Sequence, residues 1–229
     1  QTARDLARVY GVDAARVHVT SFGINPVFRP APAAVTQAVL ARLGVKPPYL
    51  LSVSAQVERK NLPRLLAAFD RVRRAPGLSN LTLALVGPPG NASARVQQAL
   101  TQLDLRACVH CLPPVTDSDL AALYSAASAF ALPSLYEGFG LPIIEAQACG
   151  AVVVTSNYGA MAEVAGDAAL LADPRQVEAL AQALQQALTD QPLRARLQAR
   201  GLARTAELTW ARTAAATLAV YQQVIDSAR

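Results

Sequence analysis

Short apolar runs alternate with longer amphipathic stretches through most of the chain. Four stretches have the spacing of a helix with one apolar face, at 62–75, 92–103, 117–127 and 141–149. Six runs are apolar almost without interruption and predict buried strands, at 49–54, 81–87, 108–112, 129–134, 151–156 and 169–173. Strands of this kind, alternating with helices, are typical of a parallel sheet that is covered on both faces. We therefore predict the α/β class, with a Rossmann-like doubly wound parallel sheet of about six strands.

The two ends of the chain depart from this alternation. After residue 173 the pattern becomes wholly helical, with helices predicted at about 174–190, 192–206 and 209–227. Near the start, ARDLARVY (3–10) has a helical pattern, RVHVTSF (16–22) predicts a short strand, and GINPVFRPAP (23–32) has the prolines of a linker. We expect four parts, which are a remnant of a preceding domain at 1–22, a linker at 23–35, the sheet domain at 36–208 and a final helix at 209–229.

Composition narrows the class of protein. Of the 229 residues, 52% are hydrophobic and 16% are charged, which provides enough apolar material for a buried core and excludes a disordered chain. The net charge of +5 comes mainly from scattered arginines, without the basic blocks and interleaved aromatics that favour nucleic acid. We therefore expect no nucleic-acid partner. No apolar run approaches the roughly 18 residues that a membrane-spanning helix requires.

Three cysteines are present, Cys108, Cys111 and Cys149, and the first two form a C-x-x-C pair. This pair lies in an apolar run that predicts a buried strand, where side chains three residues apart point to opposite faces. The two sulfur atoms should therefore diverge, and nothing nearby completes a zinc site. We expect no bound metal, and reduced thiols are typical of a cytoplasmic protein.

The segment 132–150 combines the features of an anion-binding loop. Gly138 and Gly140 flank Phe139 and let the backbone approach a ligand closely. Pro142 then opens a helix, whose first N–H groups carry partial positive charge and favour a phosphate or a polar sugar. The G-x-G-x-x-G pattern of nicotinamide-binding proteins is absent.

Three charged side chains accompany this loop. Glu137 precedes the glycines, and Glu145 follows them in what we expect to be the first helical turn. Glu145 would then either accept hydrogen bonds from vicinal hydroxyl groups or only offset the helix dipole. Lys60 follows the first predicted strand, where an ammonium group is either a phosphate partner or an ordinary solvated side chain.

Six stretches together resemble group 1 retaining glycosyltransferases of family four, which have the GT-B fold. They are ERKNLPRLLAAF, LALVGPPG, DSDLAALYSAA, PSLYEGFGLPIIEAQACG, SNYGAMAEVAGDAALLADP and LTWARTAAATLAVYQ. The resemblance runs from about residue 16 to the C-terminus and is mannosyltransferase-like in character. It implies that the chain is the C-terminal, donor-binding half of such an enzyme, and that the final helix packs toward an N-terminal acceptor domain.

The resemblance also implies a role for each candidate residue. Lys60 would hold the donor diphosphate and act as a catalytic residue by offsetting charge on the leaving group. Glu137, the second catalytic residue, would contact the donor sugar near its 3- and 4-hydroxyls, and Glu145 would bind the ribose. Arg59 would replace the second basic phosphate ligand that the family often has where Ala55 stands, if the two loop neighbours point together. The remaining donor-binding positions are the backbone groups of Gly138, Phe139, Gly140 and Leu141 for the diphosphate or sugar, and Gly87, Cys111 and Leu112 for the base.

These roles predict a hexosyltransferase that moves a mannose or glucose-like sugar from a GDP- or UDP-linked nucleotide sugar to a glycan or lipid-linked acceptor. The resemblance implies transfer with retention, without a metal or other cofactor. The acceptor would bind a missing N-terminal domain, so this part alone would be inactive, and neither His18 nor His110 is assigned a catalytic role. Two alternatives stay open, a non-catalytic nucleotide-sugar-binding module and a GT-B sugar-nucleotide epimerase. We expect a cytoplasmic location, with which peripheral contact at the inner membrane face is compatible.

Overall fold

One parallel sheet contains all six predicted strands in the computed structural model, which describes residues 1–227. The strands are β1 (Tyr49–Val53), β2 (Thr82–Val86), β3 (Val109–Leu112), β4 (Ala129–Leu132), β5 (Val153–Ser156) and β6 (Ala169–Ala172). Their order is β3-β2-β1-β4-β5-β6, and every neighbouring pair is parallel. The predicted Rossmann-like doubly wound sheet is therefore confirmed. The order reverses between β1 and β4, and open sheets of this kind bind ligands in the crevice at such a point.

Ten α-helices accompany this sheet within residues 1–227. They are α1 (Thr2–Tyr10), α2 (Ala33–Leu43), α3 (Leu62–Arg73), α4 (Ser93–Gln102), α5 (Asp117–Ala126), α6 (Leu141–Ala148), α7 (Gly159–Ala165), α8 (Val177–Thr189), α9 (Gln191–Thr205) and α10 (Trp210–Ser227). Two short 3-10 helices, Ala14–Arg16 and Glu58–Lys60, lie in loops. The sequence pattern does not predict α2, which follows a proline-rich segment, or α7, which has only 7 residues.

The alternation of side chains along each strand creates two apolar cores, one on each face of the sheet. Leu50 of β1 enters the first core, while Tyr49 and Leu51 enter the second. Helices α3, α4 and α8 complete the first core, and α2, α5, α6 and α7 complete the second. The central strands are buried on both faces, which explains why their sequences are apolar without interruption.

Strand β3 forms one edge of the sheet. The prediction of a buried strand at 108–112 is therefore wrong in part, because Val109 is buried but His110 is half-buried and Cys111 is exposed. An edge strand has a neighbour on one side alone, which leaves its other side open. Cys108 lies just before the strand, and all three cysteines are free thiols.

The N-terminal segment contains one of its two predicted elements. The predicted helix is present as α1, but residues 16–22 form no strand in the described structure, and Arg16 is the last residue of a 3-10 helix. Within the part of the chain that the structure describes, their alternating valines have no neighbouring strand to pair with, and Val19 is 78% exposed. The predicted linker at 23–35 packs against the second core through Phe28, and its last residues begin α2. The division into domains stays a prediction.

The chain is helical after β6, as predicted, in α8, α9 and α10. Helix α8 begins at Val177 rather than near Pro174, because the Asp173 side chain accepts a hydrogen bond from the Arg175 amide and holds a turn there. The final helix predicted at 209–229 is present as α10, and its last two residues lie outside the described ones. Through residue 227, we find no helix with both the length and the apolar character needed to cross a bilayer.

The segment that leads into the sheet touches the segment that leads out of it. The Ile24 amide donates a hydrogen bond of 3.0 Å to the Leu208 carbonyl oxygen. Gly23 packs so closely on the start of α10 that a Cβ atom there would lie 2.3 Å from the Trp210 amide nitrogen. A side chain cannot be accommodated at this backbone contact, so glycine is required.

Candidate functional site

The loops after the strands meet at the carboxyl edge of the sheet, as a parallel arrangement requires. The loop after β1 carries the 3-10 helix Glu58–Lys60, and the loop after β4 carries residues 133–140. Because β1 and β4 are neighbours where the strand order reverses, these two loops lie side by side. A hydrogen bond of 2.7 Å from the Leu135 amide to the Arg59 carbonyl oxygen joins them.

Lys60 and Glu137 form an ion pair across these two loops. The Lys60 Nζ atom lies 2.6 Å from Glu137 Oε1, and the two side chains are 10% and 9% exposed. Arg59 Nη1 lies 2.6 Å from the other oxygen, Glu137 Oε2, and half of its side chain is exposed. The two basic residues that are neighbours in the sequence therefore converge on one carboxylate.

Glu137 is held as a carboxylate by three donors. Besides Lys60 and Arg59, the Ser134 hydroxyl donates a hydrogen bond of 2.7 Å to Oε1. Burial acts to raise the pKa of Glu137, but these three hydrogen bonds outweigh it and hold the pKa below its usual value. A carboxylate offers about four acceptor positions, so about one remains for a ligand. Two cations facing one anion leave the cluster with net positive charge, which favours a phosphate.

The loop between Glu137 and α6 presents a run of backbone donors. The N–H groups of residues 138–141 donate no hydrogen bond to any residue that the structure describes. Gly140 ends this loop at the N-terminus of α6 with φ of 103°, a conformation that glycine adopts without strain. Free N–H groups at a helix N-terminus are an anion-binding arrangement. The predicted backbone donors are thus available to a ligand.

Glu145 has a different hydrogen-bond partner from the Lys60 cluster. It is the fifth residue of α6, so the expectation that it lies in the first helical turn is wrong, because the helix begins at Leu141. The Tyr124 hydroxyl of α5 donates a hydrogen bond of 3.1 Å to Glu145 Oε2. No hydrogen bond or ion pair within the described residues joins Glu145 to Lys60 or Glu137.

Tyr124 fixes one oxygen of Glu145 and leaves the other available. Burial raises the pKa of Glu145, the hydrogen bond from Tyr124 opposes that effect, and the charge of Asp117 adds to it. Burial also raises the pKa of Tyr124 well above its usual value, so its phenol remains a donor. The Tyr124 ring packs edge-to-face on Phe28 and Phe130. Glu145 Oε1 accepts no hydrogen bond within the described residues and is free for a ligand.

The predicted base-binding positions lie on the same edge, toward β3. The Gly87 amide donates a hydrogen bond of 3.1 Å to the Leu112 carbonyl oxygen, so the loop after β2 begins beside the end of β3. Gly87 has φ of 144°, and a Cβ atom there would lie 2.3 Å from the Ser54 carbonyl oxygen. Packing against the loop after β1 therefore requires glycine at this position. Cys111 is exposed beside them, and the role of these residues in base binding stays a prediction.

A cavity of about 240 Å³ adjoins the loop at Gly138 and Phe139. Residues 19–21 of the N-terminal segment line its other side. Phe22 of that segment packs edge-to-face against Phe139, with 5.0 Å between the ring centres. Residues that precede the sheet therefore help to shape the space beside the loop.

Three residues that support the site have no role assigned from the sequence. They are Ser134, which binds Glu137, Tyr124, which binds Glu145, and Asn61, whose side chain reaches two other loops. The available signals are weak. Ser134 and Asn61 are polar residues next to a strand end and next to Lys60, and Tyr124 is an aromatic residue on a predicted helix.

Between residues 1 and 227, no group of three or more His, Cys, Asp or Glu side chains is placed to hold a metal ion. The expectation of metal-free chemistry stays a prediction.

Known proteins are similar to this chain in sequence and in fold. The family described as Glycosyl transferases group 1 matches residues 41–204, which is most of the chain. The chain belongs to this family. The six-stranded sheet with its donors at the carboxyl edge is the part of the chain that the match covers.

Curated relatives match almost the whole chain. It is 33% identical over 219 residues to the O-antigen chain mannosyltransferase B of Escherichia coli, a match that covers 95% of this chain and 57% of the relative. It is 31% identical over 229 residues to the MMP alpha-(1->4)-mannosyltransferase of Mycolicibacterium hassiacum, which covers 98% and 52%. The chain therefore spans a little more than half the length of these relatives.

Solved structures share the fold. A glycosyltransferase from Rickettsia africae superposes with a TM-score of 0.86 at 20% identity, over 98% of this chain and 61% of that one. Anabaena HepE in complex with UDP and glucose gives 0.78 at 21% identity, over 96% and 59%. The C-terminal domain of a glycosyl transferase group 1 family protein from Francisella tularensis gives 0.67 at 21% identity, over 79% and 94%. The expected Rossmann-like fold, which these glycosyltransferases share, is confirmed. The placement of the chain as the C-terminal half of a GT-B enzyme stays a prediction.

Proposed function

We propose that this chain is the donor-binding part of a retaining glycosyltransferase that takes its sugar from a nucleotide sugar. The observation that carries the proposal is the cluster of Arg59, Lys60 and Glu137 beside the free N–H groups of residues 138–141. Cations and amide donors at the carboxyl edge of a doubly wound sheet form a site for a diphosphate. Membership of the group 1 family supports the same function.

Lys60 stabilises the leaving group in this proposal. Transfer breaks the bond between the anomeric carbon and a diphosphate oxygen, so negative charge grows on the diphosphate as it leaves. The buried Lys60 ammonium group faces that charge, and the N–H groups at the start of α6 add partial positive charge. Arg59, which is half exposed, is the second cation. The protein itself supplies the positive charge, without a metal ion or other cofactor.

The two glutamates recognise hydroxyl groups in this proposal. Glu137 has about one acceptor position left and takes a hydrogen bond from the donor sugar. Glu145 accepts hydrogen bonds from the ribose through Oε1, while Tyr124 holds Oε2. The base lies toward the edge strand, beside Gly87 and residues 111–112.

We assign a mannose or glucose-like donor, linked to GDP or UDP, and a glycan or lipid-linked acceptor. Two mannosyltransferases among the relatives and a structural neighbour in complex with UDP and glucose support this donor class. The acceptor binds a part of the protein outside this chain. Exposed apolar side chains on α10, including Leu218, Tyr221 and Val224, face that part. We place the enzyme in the cytoplasm, at the inner face of the membrane when its acceptor is a lipid.

Isothermal titration calorimetry tests the diphosphate site. GDP and UDP should bind at least about tenfold more tightly than GMP and UMP, because the second phosphate contacts the cations. Lys60→Ala should remove this preference. Lys46→Ala is the matched control, because Lys46 is the other lysine of the chain and is exposed. Absence of binding by all four nucleotides at millimolar concentration would contradict the proposal.

Transfer is tested with the protein that carries the acceptor-binding part. Incubation with GDP-mannose or UDP-glucose and a glycan acceptor should release the nucleoside diphosphate and give a product with the anomeric configuration of the donor. A changed nucleotide sugar without any acceptor would favour an epimerase. Nucleotide-sugar binding without any product would favour a binding module.

A further inference from the structure

Asn61 directly follows Lys60 and is itself buried, with 3% of its surface exposed. Its backbone has φ of 61°, in the left-handed region that asparagine and glycine adopt more readily than other residues. This conformation ends the 3-10 helix Glu58–Lys60 and begins α3. The chain therefore turns sharply immediately after Lys60.

The Asn61 side chain connects three loops at the carboxyl edge. Its Nδ2 group donates a hydrogen bond of 3.0 Å to the Pro133 carbonyl oxygen and one of 2.7 Å to the Pro174 carbonyl oxygen. Pro133 follows β4 and Pro174 follows β6, so one amide joins the loop after β1 to both. Both prolines are buried, and buried carbonyl groups are costly to leave without a donor. The connection is therefore a fixed part of the folded edge.

The backbone is fixed on both sides of Lys60. Before it, the Arg59 carbonyl oxygen accepts a hydrogen bond from the Leu135 amide. After it, Asn61 reaches Pro133. Both contacts go to the loop that carries Glu137, so they set the distance between the two loops. A lysine side chain is long and flexible, so the position of its ammonium group depends on how firmly its backbone is held.

We propose that Asn61 is a positioning residue that holds the loops after β1, β4 and β6 together and thereby aims the Lys60 ammonium group at the donor diphosphate. This inference rests on the proposed function, which assigns Lys60 to the diphosphate. Asn61 acts through Lys60 and its two carbonyl partners. The bond to Pro174 makes the position of Lys60 depend on the loop after β6, which the ion pair with Glu137 does not reach.

A purely structural role for Asn61 predicts a different result from a positioning role. A structural defect weakens folding and affects all nucleotides alike. A displaced Lys60 weakens the contact with the second phosphate and leaves the nucleoside contacts unchanged. The ratio of diphosphate to monophosphate affinity therefore separates the two roles.

The test uses Asn61→Gly, which keeps the left-handed backbone and removes the amide. Calorimetry with GDP, GMP, UDP and UMP should show diphosphate affinity falling about 5- to 10-fold, with monophosphate affinity changed less than about twofold. Arg64→Ala is the matched control. Arg64 donates a hydrogen bond to the Asn61 Oδ1 atom, so its removal leaves both Nδ2 hydrogen bonds in place. That variant should keep the wild-type ratio.

Lys60→Ala, measured in parallel, separates failure of this inference from failure of the proposed function. If Lys60→Ala keeps the preference for diphosphates, the proposed function fails. If Lys60→Ala loses the preference while Asn61→Gly keeps it, the positioning role is overturned and the proposed function stands. Asn61→Asp is the second variant, since it keeps the shape but replaces the donor group by oxygen, and it should show the same selective loss. If circular dichroism shows that both variants are unfolded, Asn61 is required for folding and the inference is overturned.

Discussion

Lys60 Nζ and Glu137 Oε1 lie 2.6 Å apart across two loops, and both side chains are about nine-tenths buried. The pair lies where the strand order reverses between β1 and β4. A buried ion pair adds little to stability by itself, because the loss of hydration offsets the attraction. Its position at the carboxyl edge of the sheet therefore fits a role in binding a charged ligand.

The pH dependence of stability should reveal the ionised state of Glu137. Its folded pKa is lowered, so the carboxylate stabilises the protein above the ordinary pKa of 4.5, and this contribution is lost as the pH falls through the folded value. We expect Glu137→Gln to lower the free energy of unfolding at neutral pH by about 1–3 kcal/mol, with a smaller difference in acid. Urea unfolding at a series of pH values measures this.

The matched control for Glu137 is Glu207→Gln. Glu207 forms a salt bridge with Arg212 at the surface and should contribute less than about 1 kcal/mol. A difference between Glu137→Gln and the wild-type protein that stays constant from acid to neutral pH would contradict the assignment of an ionised Glu137.

Glu145 should show the opposite pH dependence. Its folded pKa is raised, mainly by burial, so its contribution to stability is present below the ordinary value of 4.5 and is lost as the pH rises through the folded value. Glu145→Gln should therefore be more stable than the wild-type protein at neutral pH, by about 0.5–2 kcal/mol, and should bind nucleotide more weakly. Thermal unfolding with and without GDP or UDP checks both effects, and lower stability at neutral pH would disprove the first.

Tyr124→Phe should shift the pH dependence of nucleotide binding. The Tyr124 hydroxyl lowers the pKa of Glu145, so its removal raises that pKa further. In the proposed function, GDP or UDP binding uses the Glu145 carboxylate. The affinity should then begin to fall at a higher pH than in the wild-type protein as the solution is acidified. Calorimetry at several pH values measures the shift. Tyr221→Phe, at an exposed tyrosine of α10, is the control and should leave the profile unchanged.

Two glycines at the carboxyl edge should respond differently to alanine. A Cβ atom at Gly87 would lie 2.3 Å from the Ser54 carbonyl oxygen, and the residue has φ of 144°, which alanine rarely adopts. Gly87→Ala should therefore lower the free energy of unfolding by about 2–6 kcal/mol. Apart from its two chain neighbours, a Cβ atom at Gly138 would meet no heavy atom of residues 1–227 within 4 Å, so Gly138→Ala should change stability by less than about 0.5 kcal/mol. Denaturant unfolding of the two variants gives the comparison. Equal stability would show that the loop after β1 moves freely away from Gly87.

The strands were predictable because a strand that is buried on both faces has apolar residues at almost every position. Leu50 and Leu51 enter opposite cores, so the run around them is apolar at every position. The same signal fails at residues 16–22. The pattern of Val17 and Val19 resembles a strand, but within residues 1–227 no partner strand lies beside it. Strand pairing depends on which segments lie side by side in the folded chain, and a local sequence pattern does not show this.

The candidate site was predictable to the extent that topology determines it. Lys60 and Glu137 each follow a strand, and parallel strands bring such residues to one edge. The supporting bonds of Asn61 were not predictable, because the Pro133 and Pro174 carbonyl groups that it binds are backbone atoms without a sequence signal. The predicted place of Glu145 in the first helical turn depended on the residue at which α6 begins. A sequence pattern fixes helix boundaries only to within one or two residues.

The close approach of Gly23 to Trp210 has a practical consequence for protein engineering. A stretch of chain whose two ends lie side by side can be exchanged as a cassette, because its replacement alters neither the spacing nor the direction of the flanking chain. Chimaeras that receive residues 24–208 from a relative, with Gly23 and Trp210 retained at the junctions, should fold with the recipient's flanking segments and take on the nucleotide preference of the relative that supplied the insert.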